Sequence, residues 1–196
     1  MTVRFVVIIC LIGIAIVSMA APVAAATAGA SASSGTGGVA AYVSISLNQT
    51  SLYMPLVAAT TVTNVTGATV TSNAMGGYTV TVSDSSTGRG STSPPLGYMG
   101  NYTSGAYVPG TAGSMLNTTL GSPLGLAATS NTSYPETVNS ITSVGTSSPT
   151  IFSSTVKTPV PVLVPITLSQ TVSAIDPVLP TSNVYRIDLT FTISAN

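Results

Sequence analysis

Apolar and polar side chains alternate along much of this chain, which is the pattern of strands with one buried face and one wet face. Val39, Ala41, Val43, Ile45 and Leu47 share one parity, against Ala40, Tyr42, Ser44 and Ser46 on the other. Tyr78, Val80 and Val82 repeat the pattern against Thr79, Thr81 and Ser83. The last strand is the cleanest, with Tyr185, Ile187, Leu189, Phe191 and Ile193 facing in and Arg186, Asp188, Thr190 and Thr192 facing out. Shorter β-type runs fall at 51–54, 60–65, 68–72, 141–144 and 151–156, with Gly67 and Gly76-Gly77 placed as hairpin turns. From Asp84 to about Pro135 the period weakens, and a stretch that long inside a domain predicts short irregular strands rather than one bare loop.

The run 159–168 predicts more than a strand. Val160, Val162, Val164, Ile166 and Leu168 form a core face, while Pro159, Pro161 and Pro165 share the other parity. Alternate residues aim their N–H groups at opposite edges, so these prolines strip donors from one edge and leave the other able to pair. The result is a blunted outer edge. No segment past the leader carries a 3.6-residue period. The pattern predicts an all-β protein, a Greek-key or Ig-like β-sandwich over 48–196 preceded by an extended N-terminal donor-strand tail at 27–47.

Residues 1–26 read as a secretory signal: Arg4 supplies the positive region, 5–17 is an apolar run, and Pro22 precedes the cleavage-type sequence Ala24-Ala25-Ala26. The competing reading is a retained membrane span, since 5–26 is long enough to cross a bilayer, but its second half is Ala-rich and broken by proline. A type IV pilin leader is disfavoured, because only Arg4-Phe5 precedes the apolar run. Export makes the destination extracellular.

Charge changes the picture most. Four basic and four acidic residues in 196 leave a net charge of zero, so no electrostatic field draws nucleic acid or an anionic membrane. The one cysteine, Cys10, lies in the leader, and there is no histidine. The exported chain is thus expected to lack disulfides, thiol nucleophiles and Cys or His metal ligands. Its charged groups are the acids Asp84, Glu136, Asp176 and Asp188, well separated in sequence, with Arg89, Lys157 and Arg186 as the cations. Nothing marks a catalytic pair, so an enzyme is not expected and no cofactor is implied. Lys157 is the single lysine and the one candidate for an internal isopeptide crosslink, although a solvated lysine is the plainer reading.

Five asparagines stand in Asn-x-Ser/Thr: Asn48, Asn64, Asn101, Asn117 and Asn131. In an exported protein these are candidate N-glycosylation sites on exposed loops, and covalent glycans would supply hydration that charges do not. The small-residue stretch 25–37 has the flexibility to carry a strand away from its own body. The strand at 39–47 could equally be the first strand of its own domain.

An exported, sequon-rich, Ser/Thr-rich β-protein with such a tail resembles the thread filament subunit of Sulfolobus-type archaea, and more distantly archaeal bundling pilins and TasA-type biofilm fibre proteins. The resemblance is carried by general character and by 72–82, Ser-Asn-Ala-Met-Gly-Gly-Tyr-Thr-Val-Thr-Val, with 185–193. It implies an archaeal, glycosylated cell-surface filament for adhesion, cell contact or biofilm formation, whose partners are copies of itself joined head to tail, with other filaments or cell surfaces beyond. In such filaments the tail of one subunit completes the sheet of the next. On this reading Val39, Ala41, Val43, Ile45 and Leu47 are the donor face; if they belong to the parent domain, the donor moves to Ala28, Ala30 and Ala32. The alternatives are a membrane-anchored or cell-wall β-sandwich that does not polymerise, and an exported hydrolase or carbohydrate-binding module.

Overall fold

Two long strands rich in β-branched residues form the spine: β3 (Thr60–Ser72) and β12 (Thr158–Val172), antiparallel along almost their whole length. The computed structural model describes residues 14–15, 41–49, 51–85, 96–108, 119–131, 133–134, 136–144 and 148–196. Most of the leader, the tail at 16–40 and Asn117 lie outside them. The remaining elements are β1 (Ile14–Ala15), β2 (Val43–Leu47), β4 (Tyr78–Asp84), β5 (Tyr98–Thr103), β6 (Ala106–Tyr107), β7 (Thr119–Pro123), β8 (Gly125–Ala128), β9 (Thr137–Val138), β10 (Ser140–Ile141), β11 (Thr150–Ser154), β13 (Val184–Arg186) and β14 (Leu189–Ala195). The described residues hold no helix, and the all-β sandwich class expected from the alternation is the class observed.

One sheet has the order β1-β14-β4-β11-β9 and the other β10-β8-β12-β3-β2. A smaller sheet, β13-β5-β6 with β7 on β5, extends one end. The two large sheets close over a single core: Ala68, Val70, Val164, Ile166 and Leu168 from one side, Tyr78, Val80, Val82, Phe152 and Phe191 from the other. Tyr78 and Phe152 meet edge to face with centroids 6.3 Å apart, a contact worth about 1 kcal/mol beyond its area. Packing replaces disulfides as the source of cohesion.

Several sequence expectations change here. Gly67 does not turn a hairpin; β3 runs straight through it, because a Cβ there would come within 2.5 Å of Leu163 Cδ1, and glycine leaves that space. Gly76-Gly77 turns a corner between sheets rather than a hairpin within one, since β3 and β4 lie in different sheets. The run 51–54 alternates as expected, with Leu52 and Met54 buried, yet joins no ladder. Val160 is 48 % exposed, because the register of β12 on β3 slips between Thr158 and Val162 and the bulge turns it outward.

The proline edge takes the expected form at Pro165. Pro165 carbonyl accepts from Thr129 N–H at 2.9 Å on the side away from β3. Since N–H and C=O of a strand residue point to the same edge, the missing donor of Pro165 lies there too. Pro159 and Pro161 fall within the register slip between Thr158 and Val162, where no β8 partner is paired.

The final strand also does two jobs. Its inward residues are buried as expected through Phe191, but it breaks at Ile187-Asp188: β13 pairs with β5 while β14 pairs with β4. Arg186 and Asp188, two residues apart and outward, form an ion pair at 2.7 Å. Tyr107 donates to the second Asp188 oxygen at 2.8 Å, and the Arg186 guanidinium lies 4.4 Å over the Tyr102 ring. This cluster pins the change of sheet.

Burial, aided by the Glu136 carboxylate, pushes the Tyr78 hydroxyl up to about 12, and burial also pushes Tyr185 up. Both stay neutral in the fold at pH values where the unfolded chain ionises near 10, so stability is intact below pH 10 and falls between pH 10 and 12. For Tyr78 the loss is about 2 kcal/mol, and urea titrations across that range should show a shallower decline in Tyr78→Phe than in wild type. A second test compares glycines. Gly77 has φ +83° and its added Cβ would lie 2.0 Å from the Ser154 carbonyl oxygen, whereas Gly105 has φ +87° and open space around it. Gly105→Ala should cost about 1 kcal/mol in urea unfolding, and Gly77→Ala distinctly more.

Candidate strand-accepting edge

Register defines the two ends of the sandwich. Ser72 at the end of β3 pairs with Val43 at the start of β2 and Thr158 at the start of β12. Tyr78 at the start of β4 pairs with Ala195 at the end of β14 and Ser154 at the end of β11. Asn196 N–H donates to the Gly77 carbonyl at 3.1 Å, which ties the last residue to the same end. We term it the proximal pole, because the chain from the tail enters the body there. Thr60 and Val172 mark the opposite, distal pole.

β2 is the last strand of its sheet, and β14 is followed in the other only by the two-residue β1. The seam between them is where the core is unfinished. Ile45 and Leu47 of β2 and Ile193 and Ala195 of β14 pack on the core but stay only partly buried. β14 is paired from Leu189 to Ala195 with β4 on its inner side. On its outer side it meets only β1, in parallel, with Ile14 opposite Leu189 and Ala15 opposite Thr190. Among the described residues, 191–195 has no strand on that side. A free backbone edge beside half-covered apolar side chains is what an added strand satisfies, through main-chain hydrogen bonds and alternate side-chain contacts. Neither end of this seam was marked in the sequence; the signal available was that the last strand is both the cleanest and the last.

The expected donor face lands elsewhere. Val43, Ile45 and Leu47 sit in β2, where Val43 pairs with Ser72, Ile45 with Val70 and Leu47 with Ala68 of the same chain. Asn73 N–H donates to the Tyr42 carbonyl at 3.0 Å, and the Asn73 side chain accepts from Tyr42 N–H, which anchors the start of the strand. From Val43 onward the stretch therefore closes its own sheet, a correction whose cause is the free edge that the long β3 offers at 68–72. Ala41 is exposed ahead of β2, while Val39, Ala28, Ala30 and Ala32 lie outside the described residues.

The sequons separate by environment. Asn48 is exposed at the end of β2; its Oδ1 accepts from Thr66 Oγ1 at 2.9 Å and Gly67 N–H at 2.8 Å, which orients the side chain without using its amide nitrogen. Asn64 lies within β3 and donates from Nδ2 to the Tyr53 carbonyl at 2.6 Å. Asn131 opens a turn, with Oδ1 accepting from Ser133 N–H at 2.8 Å. Asn101 is 7 % exposed in β5, where its Oδ1 accepts from Asn183 Nδ2 at 2.9 Å. That position is not the exposed loop expected for it, because β5 lies between β13 and the β6 and β7 partners.

Each carboxylate serves the fold. Asp84 accepts from Gly97 N–H at 2.8 Å, and Asp176 from Gly121 N–H at 2.8 Å. Glu136, buried, accepts from Asn131 N–H at 2.7 Å and Ser130 Oγ at 3.2 Å, organising a loop with no obvious sequence signal. Asp84 shares the inward parity of Val82 and pairs with Leu189, next to Asp188 at the break between β13 and β14. Lys157 is exposed in the link from β11 to β12, at a hollow of about 410 Å³ with Asn73, Met75 and Pro159, and lacks the desolvation that turns a lysine into a nucleophile. Among the described residues no three metal-ligating side chains cluster, and no helix is long and apolar enough to cross a membrane. No protein-family model, curated protein or solved structure matches the chain.

Two outcomes follow. In a host that N-glycosylates, peptide mass spectrometry should find Asn48 modified and Asn101 bare; glycan on folded Asn101 would contradict its burial. Ile193→Lys, at a half-covered position of the seam, should weaken binding of a peptide of residues 27–40 at least tenfold while shifting the thermal midpoint by only a few degrees.

Proposed function

We propose that this protein is an exported, non-catalytic structural subunit that polymerises by strand donation into an extracellular surface filament. The observation that carries this reading is the outer edge of β14, paired over Leu189 and Thr190 and without a strand beyond among the described residues, next to partly buried Ile193 and Ala195. Such an edge recruits a strand. The nearest supply is the tail ahead of β2, residues 27–40, in which Ala28, Ala30 and Ala32 share one parity with side chains small enough for a shallow seam. Fully extended, that tail spans about 45 Å, enough to lie along a neighbour. Donor and acceptor are different surfaces of one chain, so the contact repeats without closing wherever the exchange is not reciprocal.

The near-absence of charge fits a surface whose hydration comes from glycans, with Asn48 the best-placed acceptor. It also fits a function outside catalysis. Each of the four carboxylates accepts a hydrogen bond from a backbone amide or an arginine, which supports a structural role for them. The adhesive or cell-contact role follows from the filament and its location.

The test is truncation. A chain beginning at Ala41 keeps every strand of the body and should fold with an unchanged thermal midpoint yet remain monomeric, while one beginning at Thr27 should form filaments visible by electron microscopy. Filaments of ordinary length from the shorter chain would refute strand donation.

A further inference from the structure

The filament reading leaves open which way the donated strand runs, and the register answers it. β14 runs toward the proximal pole, since its last residue pairs with Tyr78. A strand laid parallel to it, as Ile14-Ala15 is, also delivers the following chain to the proximal pole. Within one molecule this is consistent, because β2 starts at that pole. Between two molecules it does not extend. The donor's own β2 also begins at its proximal pole, so a parallel donor brings proximal pole against proximal pole. Each molecule then receives the other's tail, and the pair closes as a two-fold dimer.

The tail is too short to escape this. If five residues of 27–42 form the donated strand, the rest spans about 36 Å, while β12 alone, 15 residues long, makes the body about 50 Å. An antiparallel donor instead exits at the acceptor's distal pole, directly beside the donor's proximal pole, and the step repeats.

Some exposed apolar side chains lie along the body, Val65 and Leu163 among them, but the two most exposed stand at opposite poles. Around the proximal pole stand Met75, 81 % exposed, with Tyr42, Val156 and Val160. Around the distal pole stand Ile175, 85 % exposed, and Val178, both on the loop after β12, with Val57 beside the start of β3. Thr60 Oγ1 donates to the Val57 carbonyl at 2.6 Å, which holds Val57 at that pole. Bare apolar groups at both ends of a nearly uncharged body are what an end-to-end contact covers.

Resting on the filament reading, we infer that the donated strand runs antiparallel to β14 and that the partner seated on the distal loops Val57 and Ile175–Val178 is the proximal pole of a second copy. Ile14-Ala15 itself belongs to the leader, so on this reading the exported chain does not carry it and its parallel placement is no part of the assembly.

Cysteine crosslinking tests this, because Cys10 in the leader is the chain's single thiol. Chains beginning at Thr27 are assembled and mildly oxidised. Filaments of the double variant Met75→Cys with Ile175→Cys should give a ladder of covalent multimers on a non-reducing gel, and either single variant none. Dimers from Met75→Cys alone would place proximal poles together and overturn the inference, as would filaments of the double variant that yield no covalent product. A second pair guards against a local packing artefact: Met75→Glu and Ile175→Lys should each raise the critical concentration for assembly at least tenfold, and together restore it to within about threefold. No restoration would count against the contact. Assembly by chains that lack 27–40 would refute strand donation itself, a separate failure.

Discussion

A β-strand cannot leave its backbone groups dry and unpaired, and β14 is the place where this chain comes closest to doing so. Its inner side is zipped to β4 over the full length, and among the described residues its outer side meets a strand only at Leu189 and Thr190. An unsatisfied buried N–H or C=O costs on the order of 1–3 kcal/mol, so the edge must stay wet or be paired. The half-covered Ile193 and Ala195 beside it favour pairing. The opposite flank of the molecule is handled differently: β12 carries Pro159 and Pro161 where β8 no longer covers it. Proline occupies one of these flanks and a row of half-covered apolar side chains the other.

That division matters more in this chain because charge is so scarce. Most secreted β-proteins keep their edges apart with lysine and glutamate, and this chain has four residues of each sign in all. The charges present are spent on geometry. Arg186 and Asp188 fix the point where the last strand changes sheets, and Glu136 and Asp176 fix loops through backbone amides. Prolines and threonines do the work of negative charge on the outer faces. Cohesion comes from a core closed by Tyr78, Phe152, Phe191 and the aliphatic rows of β3 and β12.

Alternation made the body legible in the sequence, because a half-buried strand imposes a period of two whatever its neighbours are. It correctly placed β4, β14 and most of β12, while the edge expected for the prolines is seen only at Pro165, beside β8. It could not say which strand lies beside which, and the errors come from that. Gly67 looks like a turn until Leu163 of β12 is known to lie over it. Leu52 and Met54 alternate into the core but find no ladder to join. Val43, Ile45 and Leu47 read equally well as a donated strand or a home strand; the free edge of β3 at Ala68–Ser72, invisible in the sequence, decides for the home sheet. Asn101 carries a sequon, which is a local motif, while its burial is a tertiary fact.

The central claim is that the outer edge of β14 is open in the single body and filled in the assembly. Amide hydrogen exchange over residues 191–195 reads this directly. In a chain beginning at Ala41 the outward-facing amides of this stretch should exchange on the timescale of exposed backbone, and in filaments of the chain beginning at Thr27 they should be protected by at least two orders of magnitude, an effect of about 2.7 kcal/mol in local opening. Equal protection in both forms would mean that the edge is already satisfied within one molecule, and the account would fail.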